Sequence, residues 1–306
     1  MMVRPLALAL LVLIPGDRAT RPPQAPAEPP RVASIAPRPA LKGVHPPIPT
    51  PGDEACVGCH QPIVTHTVLH GPVAAGACSI CHSVSSADGR IRVALNGGAT
   101  VARVTTICLT CHEDIAERLK QKHVHAPVTG GACTTCHDPH GSEFRYQLPA
   151  ESRMVCLSCH QDVAESVGQK YPHAPAAKSC TVCHDPHGSR HPSQTREGLN
   201  ELCLTCHHEG PSTVPAPDDA ELLFGRTAPA DERAMTKAGR RIQLDPSMAT
   251  GHPSVSHPVL GPSNPAERGK PLTCASCHQP HGAVTQKLFR FGATGVSALC
   301  VACHRF

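Results

Sequence analysis

The chain opens on a short apolar run, Leu6 to Ile14, preceded by a basic Arg4 and stopped by the helix-breaking Pro15-Gly16. The run is too short to span a bilayer and suits the apolar stretch of a secretory leader, so residues 1–20 are expected to be a signal peptide. Eleven prolines between residues 21 and 51 then predict an extended Pro-rich linker over 21–52, without a core of its own. Further on, apolar residues come in small groups. Ile115 and Leu119, four apart in CLTCHEDIAERLKQKH, predict a short amphipathic helix.

Composition sharpens this picture. Of 306 residues 2% are aromatic, with no Trp, two Tyr and five Phe, whereas Pro numbers 33 and His 22. A chain this poor in large apolar side chains does not build a well-packed interior from its own residues. Something other than side chains has to fill the middle.

The 18 cysteines say what does. All fall in nine copies of C-x-x-C-H: Cys56/Cys59, Cys78/Cys81, Cys108/Cys111, Cys133/Cys136, Cys156/Cys159, Cys180/Cys183, Cys203/Cys206, Cys274/Cys277 and Cys300/Cys303, each followed by histidine. C-x-x-C-H is the attachment signature of c-type haem. Two thiols one helical turn apart can form thioethers to the two haem vinyl groups, and the next residue places an imidazole under the iron. Zinc and redox motifs also use C-x-x-C, but neither needs the histidine nine times out of nine. A disulfide framework predicts irregular spacings and no fixed histidine. Nine covalent haems would supply the missing apolar interior, so fold and cofactor are expected to be inseparable.

Haem attachment of this kind takes place outside the bacterial cytoplasmic membrane, which independently calls for export. The expected location is periplasmic or extracellular. With no cysteine before Cys56 no lipid anchor is expected, nor a transmembrane anchor in the mature chain. The formal charge of +4 changes sign once haem is counted. Two propionates per haem and one ferric charge per macrocycle give roughly −5 oxidised and roughly −14 reduced, which excludes a basic nucleic-acid-binding protein.

The motifs alternate in a two-haem unit. A leading motif and its short helix are followed by a His-x-Pro and a trailing motif, as in CLTCHEDIAERLKQKHVHAPVTGGACTTCHDPHGS and CLSCHQDVAESVGQKYPHAPAAKSCTVCHDPHGS. The first copy loses the terminal Pro-His-Gly after His82, the fourth is interrupted after CLTCHHEG, and a lone leading motif, CVACHRF, ends the chain. From about Cys56 to His304 the chain resembles the doubled-CXXCH family of multihaem c-type cytochromes. The resemblance implies a haem-packed array that is mostly irregular with short α-helices and few or no strands, and that moves electrons through mainly His/His-ligated haems. On this reading residues 53–207 form an array of seven motifs, 208–256 an insertion and 257–306 a C-terminal haem pair. The insertion is expected to be a surface excursion, with a partner-docking flap as the alternative.

The motif histidines His60, His82, His112, His137, His160, His184, His207, His278 and His304 are the candidate proximal ligands. Two sets in register with the repeat are candidate distal ligands: His70, His125, His173 and His257 before proline, and His140, His187 and His281 in Pro-His-Gly. Three residues of chain cannot wrap round a porphyrin, so His140 must serve a haem other than that of His137. The simplest scheme gives each His-x-Pro histidine to a haem of its own unit and each Pro-His-Gly histidine to the next leading motif, His140 to His160, His187 to His207 and His281 to His304. It leaves the haems of His60 and His112 short, with His45 and His66 as candidates.

Thirteen spare histidines for nine irons favour an electron carrier whose irons have no open position, with redox proteins as donor and acceptor. The alternatives are a reductase of a small nitrogen or sulfur compound at an incompletely ligated haem, and a self-associating, filament-forming scaffold.

Overall fold

The computed structural model describes residues 53–87, 90–208, 222–244, 252 and 257–304. The expected signal peptide and Pro-rich linker lie outside the described residues. Short helices, turns and two-stranded ladders make up the rest, and no helix among the described residues is long and apolar enough to cross a membrane.

Leading and trailing motifs sit on different local structures. The leading motifs lie at the C-terminal ends of helices Asp53–Cys59, Val101–Leu109, Ser152–Leu157, Leu199–His207 and Val296–Cys300. Trailing motifs occupy single 3₁₀ turns, Cys78–Ile80, Cys133–Thr135 and Cys180–Val182, or the four-residue helix Cys274–Cys277. In both, the histidine N–H donates to the carbonyl of the first cysteine, at 3.1 Å for His112 and for His137. One turn of chain thereby gathers the two thiols and the imidazole.

That turn is not regular helix in every leading motif. Cys111, Cys159 and Cys303 fall beyond the last residue of their helices, in the closing turn. The turn tightens there because the N–H of each donates three residues back, to the carbonyls of Cys108, Cys156 and Cys300 at 3.3, 3.3 and 3.1 Å. Cys111 and Cys159 are exposed, while their partners Cys108 and Cys156 are half-buried, and Cys303 is half-buried like Cys300; Cys59, inside its helix, is exposed as well.

The predicted helix after Cys108 is present as Glu113–Arg118, and its counterpart runs Gln161–Val167. The His-x-Pro histidines stand at the mouths of further helices, Gly71–Ala74, Ala126–Thr129 and Ala174–Lys178. The proline falls in the first turn, where a missing N–H leaves no bond unmade, and the histidine before the helix keeps an extended backbone.

Three antiparallel ladders join successive units: Val68–Leu69 with Gly141–Ser142, His123–Val124 with Gly188–Ser189, and Tyr171–Pro172 with Gly282–Ala283. Each sets the strand before a His-x-Pro histidine against the strand that begins with the glycine of the next unit's Pro-His-Gly. That glycine is required by close approach. A Cβ on Gly188 would sit 2.6 Å from the Arg118 carbonyl oxygen, and one on Gly282 would overlap the Ser166 carbonyl oxygen.

The first unit, which lacks Pro-His-Gly, instead forms a hairpin of His82–Ala87 and Arg90–Leu95. Asn96 at its end donates from Nδ2 to the carbonyls of Ser79 and Ile80 at 3.1 and 2.8 Å, bracing the Cys78–Cys81 loop.

The described part of the insertion is not simply the surface excursion expected of a stretch without a motif. It forms a small hairpin, Leu222–Leu223 with Arg226–Thr227, and helix Ala230–Lys237. Leu223 and Ala228 are buried against Val182 of the sixth motif, with Cys183, Phe224 and Met235 packed around them. This patch is half of the buried apolar interior, because only Ala283, Phe289 and Ala293 join these three among the described residues.

Candidate functional site

Among the described residues, eight motif histidines each face a second imidazole. Among leading motifs, His112 faces His70, His160 faces His125, His207 faces His173 and His304 faces His257, with ring centres 5.9, 6.0, 6.2 and 6.3 Å apart. Among trailing motifs, His82 faces His140, His137 faces His187, His184 faces His281 and His278 faces His252, at 6.1, 6.0, 6.2 and 5.9 Å. The rings lie within 34° of parallel except for His257 and His304, which meet edge-on at 80°.

The rule behind these meetings differs from the simple scheme. The His-x-Pro histidine reaches forward to the leading motif of the next unit, not to a haem of its own unit. The Pro-His-Gly histidine reaches back to the preceding trailing motif: His140 stands against His82 rather than His160, His187 against His137 rather than His207, and His281 against His184 rather than His304. The inter-unit ladders explain the reversal. They bring the two kinds of distal histidine together, with the N–H of His70, His125 and His173 donating to the carbonyls of His140, His187 and His281 at 3.1, 3.2 and 2.9 Å. From each junction one ring is presented to the unit ahead and the other to the unit behind.

The geometry fits a metal between the rings. An iron bonded to both at about 2 Å, with each ring centre about 1 Å further back, requires centres about 6 Å apart. The tautomers fit as well. Nδ1 of His70 and His173 lies 3.0 and 2.8 Å from the carbonyls of Pro139 and Pro280, the prolines of Pro-His-Gly. Nδ1 of His137, His184 and His278 lies 2.7, 2.9 and 2.7 Å from the carbonyls of Tyr146, Ser193 and Lys287, each nine residues on. A carbonyl can only accept, so Nδ1 carries the proton and Nε2 keeps its lone pair for a metal. Burial, with the facing imidazole second, holds His82 below the ordinary histidine range, and burial also lowers His184 and His187. All three are thereby biased to the neutral form a ligand needs.

The Pro-His-Gly turn has a further fixing device. The N–H of His140 and of His187 donates to Oδ1 of Asp138 and Asp185 at 3.0 and 3.1 Å, closing an Asx turn round the intervening proline. The carbonyls that orient His137 and His184 come from Tyr146 (φ 60°) and Ser193 (φ 55°), both in the left-handed region that such residues rarely enter. This pair of strained turns was not legible as a motif: Tyr146-Gln147 and Ser193-Gln194 share a glutamine, also at positive φ, but no glycine or asparagine that would mark a left-handed turn.

His252 was also missed as a partner. It is one of the histidines outside the two aligned sets, and the available signal is the doubled His-Pro of GHPSVSHP. The last trailing motif has no following Pro-His-Gly to draw on, and the insertion provides a ring in its place. The insertion also orients His207, whose Nδ1 lies 2.7 Å from the Arg240 carbonyl. Of the two candidates for the first motifs, His45 lies outside the described residues, and His66 has its Nδ1 3.3 Å from the Glu143 carboxylate. His112, expected to be short of a partner, has one in His70.

The thiols converge in two ways. Within a unit the first cysteines adjoin: the neighbouring Cys180 thiol, with burial, raises Cys156, and the Cys274 thiol, with burial, raises Cys203. Across a junction the second cysteines meet. Burial raises Cys136, Cys183 and Cys277, and in each case the largest charge effect comes from the second cysteine of the following leading motif, Cys159, Cys206 and Cys303 in turn. Cys183, the most enclosed of the three, is pushed up to about 11. The exposed Cys159 and the half-buried Cys303 thus stand where two attachment sites adjoin. Cys111 lies beside Thr110, whose Oγ1 is 4.0 Å from its sulfur. In the second unit a cleft of about 820 Å³ opens between Val101, Thr105, Leu119, Val124 and Val128, the size of a cofactor site. Among the described residues no three His, Cys, Asp or Glu side chains converge as the ligands of a zinc site would.

The doubled CXXCH motif family matches four stretches, residues 70–117, 125–165, 173–211 and 264–306, together more than half of the chain. The chain belongs to the doubled CXXCH family. Comparison with curated proteins gives no match. The first three family stretches begin at His70, His125 and His173 and run past the leading motif that each of these histidines faces. As a doubled CXXCH protein the chain is a multihaem c-type cytochrome: its motifs carry covalently bound haem c, its role is electron transfer, and its partners are other redox proteins.

Proposed function

We propose that the protein is an exported nonahaem c-type cytochrome that carries electrons along closely packed, mainly His/His-ligated haems in a respiratory or extracellular electron-transfer chain. Each C-x-x-C-H motif attaches one haem through its two cysteines, Cys111, Cys159 and Cys303 included, and ligates its iron through its histidine. His70, His125, His173, His257, His140, His187, His281 and His252 complete eight of the irons, with His45 and His66 as candidates for the haem of His60. Haem c supplies one-electron exchange between ferric and ferrous iron; the chain fixes spacing, ligation and surroundings.

The single observation that carries this reading is the reciprocal facing of histidines across each junction. Two haems per junction, each held by both units, would be locked at fixed separation, as efficient transfer requires. The adjoining thiols within units support a path that follows sequence order. A reductase would instead need an open iron. Absorption spectra of oxidised and dithionite-reduced holoprotein, with and without carbon monoxide, test this. A wholly low-spin spectrum with no carbon monoxide response is expected; a carbon monoxide response from several haems would overturn the carrier reading.

The insertion has a specific expectation within this scheme. His252→Gly should convert one haem, that of His278, from low spin to a carbon-monoxide-binding form, about one part in nine of the total absorbance change. An unchanged spectrum would remove His252 from the ligand set.

A further inference from the structure

The sixth motif carries a feature that ligation does not use. Arg196 and Arg226 both donate to the carbonyl of Thr181, inside the Cys180–Cys183 attachment loop, at 2.8 and 2.9 Å. Arg196 also reaches Oδ2 of Asp185 at 3.0 Å, both side chains being 9% exposed. Arg118 joins the same carboxylate oxygen from the preceding unit. Arg226 is tied to Glu232, a carboxylate 5% exposed that also accepts from Thr181 Oγ1 at 2.7 Å and Ser179 Oγ at 3.0 Å.

Three guanidinium groups and two buried carboxylates therefore converge on one attachment loop, and a third carboxylate, the exposed Asp114, reaches Arg118 at 3.9 Å from outside. The equivalent of Arg196 in the second unit is Pro149, and in the fourth it is Arg290, which donates to Ala275 of the Cys274–Cys277 loop at 3.1 Å. Arg290 is 26% exposed and Glu267, its partner, 22%. The fourth unit thus has a single, wetter copy of what the third has in buried form.

Charge buried beside an iron acts through low dielectric and is poorly screened. Reduction adds one electron to the iron, so a fixed positive charge favours the ferrous form and raises the potential. We propose that Arg196, with Arg226 and Arg118, makes the haem of His184 the highest-potential site of the array, and that the third and fourth units differ in potential through this arginine position. Arg196 acts as a tuning residue through the attachment loop and ligates nothing. The first electron entering from a reduced partner would then come to rest mid-array, which makes the protein a charge store as well as a conduit. The inference rests on the multihaem carrier reading above.

Spectroelectrochemical titration of the full holoprotein tests it. Arg196→Gln is expected to lower the highest-potential one-electron step by at least tenfold in its equilibrium constant, 59 mV for one electron, and to leave the other steps in place. Asp185→Asn keeps the Asx acceptor while removing a negative charge, and should raise the same step. Arg196→Lys should restore most of the wild-type position, and Arg290→Gln should move a different step, by less. A fully low-spin Arg196→Gln protein whose highest step stays put, or whose steps all move together, overturns the proposal. If Arg196→Gln loses haem, the Asp185→Asn shift decides, and its absence overturns the proposal. A wild-type spectrum without low-spin haem would instead sink the carrier reading.

Discussion

The haem-free chain is expected to show no cooperative unfolding transition, the largest effect any single change should have on this protein. The longest helices among the described residues, Val101–Leu109 and Leu199–His207, have 9 residues each, below the length at which an isolated helix persists in water. The ladders between units are two residues long, far short of an independently stable sheet. Six apolar side chains are buried among the described residues, and three of them are alanine. Nothing in that inventory offsets the conformational entropy of ordering the chain. On the reading proposed above, what does so is the burial of the flat apolar haem discs together with the iron–imidazole bonds across them. Circular dichroism of chain produced without haem attachment should be close to that of an unfolded polypeptide and should change smoothly on heating. A sharp transition would mean that the side chains hold the fold by themselves.

Chemistry fixed by local spacing could be read directly from the residues. Cys133, Cys136 and His137 must lie on one turn for the attachment to work, and they do. Ile115 and Leu119 mark a helix because four residues bring them to one face. The spacing did not reveal that Cys111, Cys159 and Cys303 would leave the helix for a tighter closing turn, because three residues of separation suit an α-turn and a 3₁₀ turn alike. The argument that His140 cannot serve the haem of His137 also needs only chain length, and His140 indeed stands against His82. Its direction was not legible, because it depends on how two-residue strands from separate units align. Such strands carry no alternating pattern from which a register could be inferred. The glycine of Pro-His-Gly looks like a turn residue, yet Gly188 is there because the Arg118 carbonyl leaves no room for a Cβ. The insertion misled for a related reason. A long stretch without a motif in a repeat array ordinarily means a surface loop, but Leu223, Ala228 and Glu232 are buried here against an attachment loop.

The direction of exchange leads to the second large effect. His187→Gly should open the haem held by Cys133, Cys136 and His137, the preceding trailing motif and two motifs back along the chain, and leave those of His184 and His207 untouched. His187 faces His137 at 6.0 Å, with its backbone fixed by Asp185 Oδ1 and its neighbour Gly188 seated on the Arg118 carbonyl. Glycine at 187 removes the ring and leaves the Asx bond, which uses the backbone N–H. The reduced variant should bind one carbon monoxide per chain, with the low-spin absorbance falling by about one haem in nine. Combining His187→Gly with Cys133→Ser and Cys136→Ser should abolish that response, because the haem it reports is no longer attached. Combining it with Cys203→Ser and Cys206→Ser should leave the response in place. The opposite pattern would restore the forward assignment of Pro-His-Gly. If backward exchange holds, losing one such histidine opens the trailing haem of one unit and unties one of the two cofactor links to the next, so a ligand mutation here is at once a lesion in the electron path and in the join between repeats.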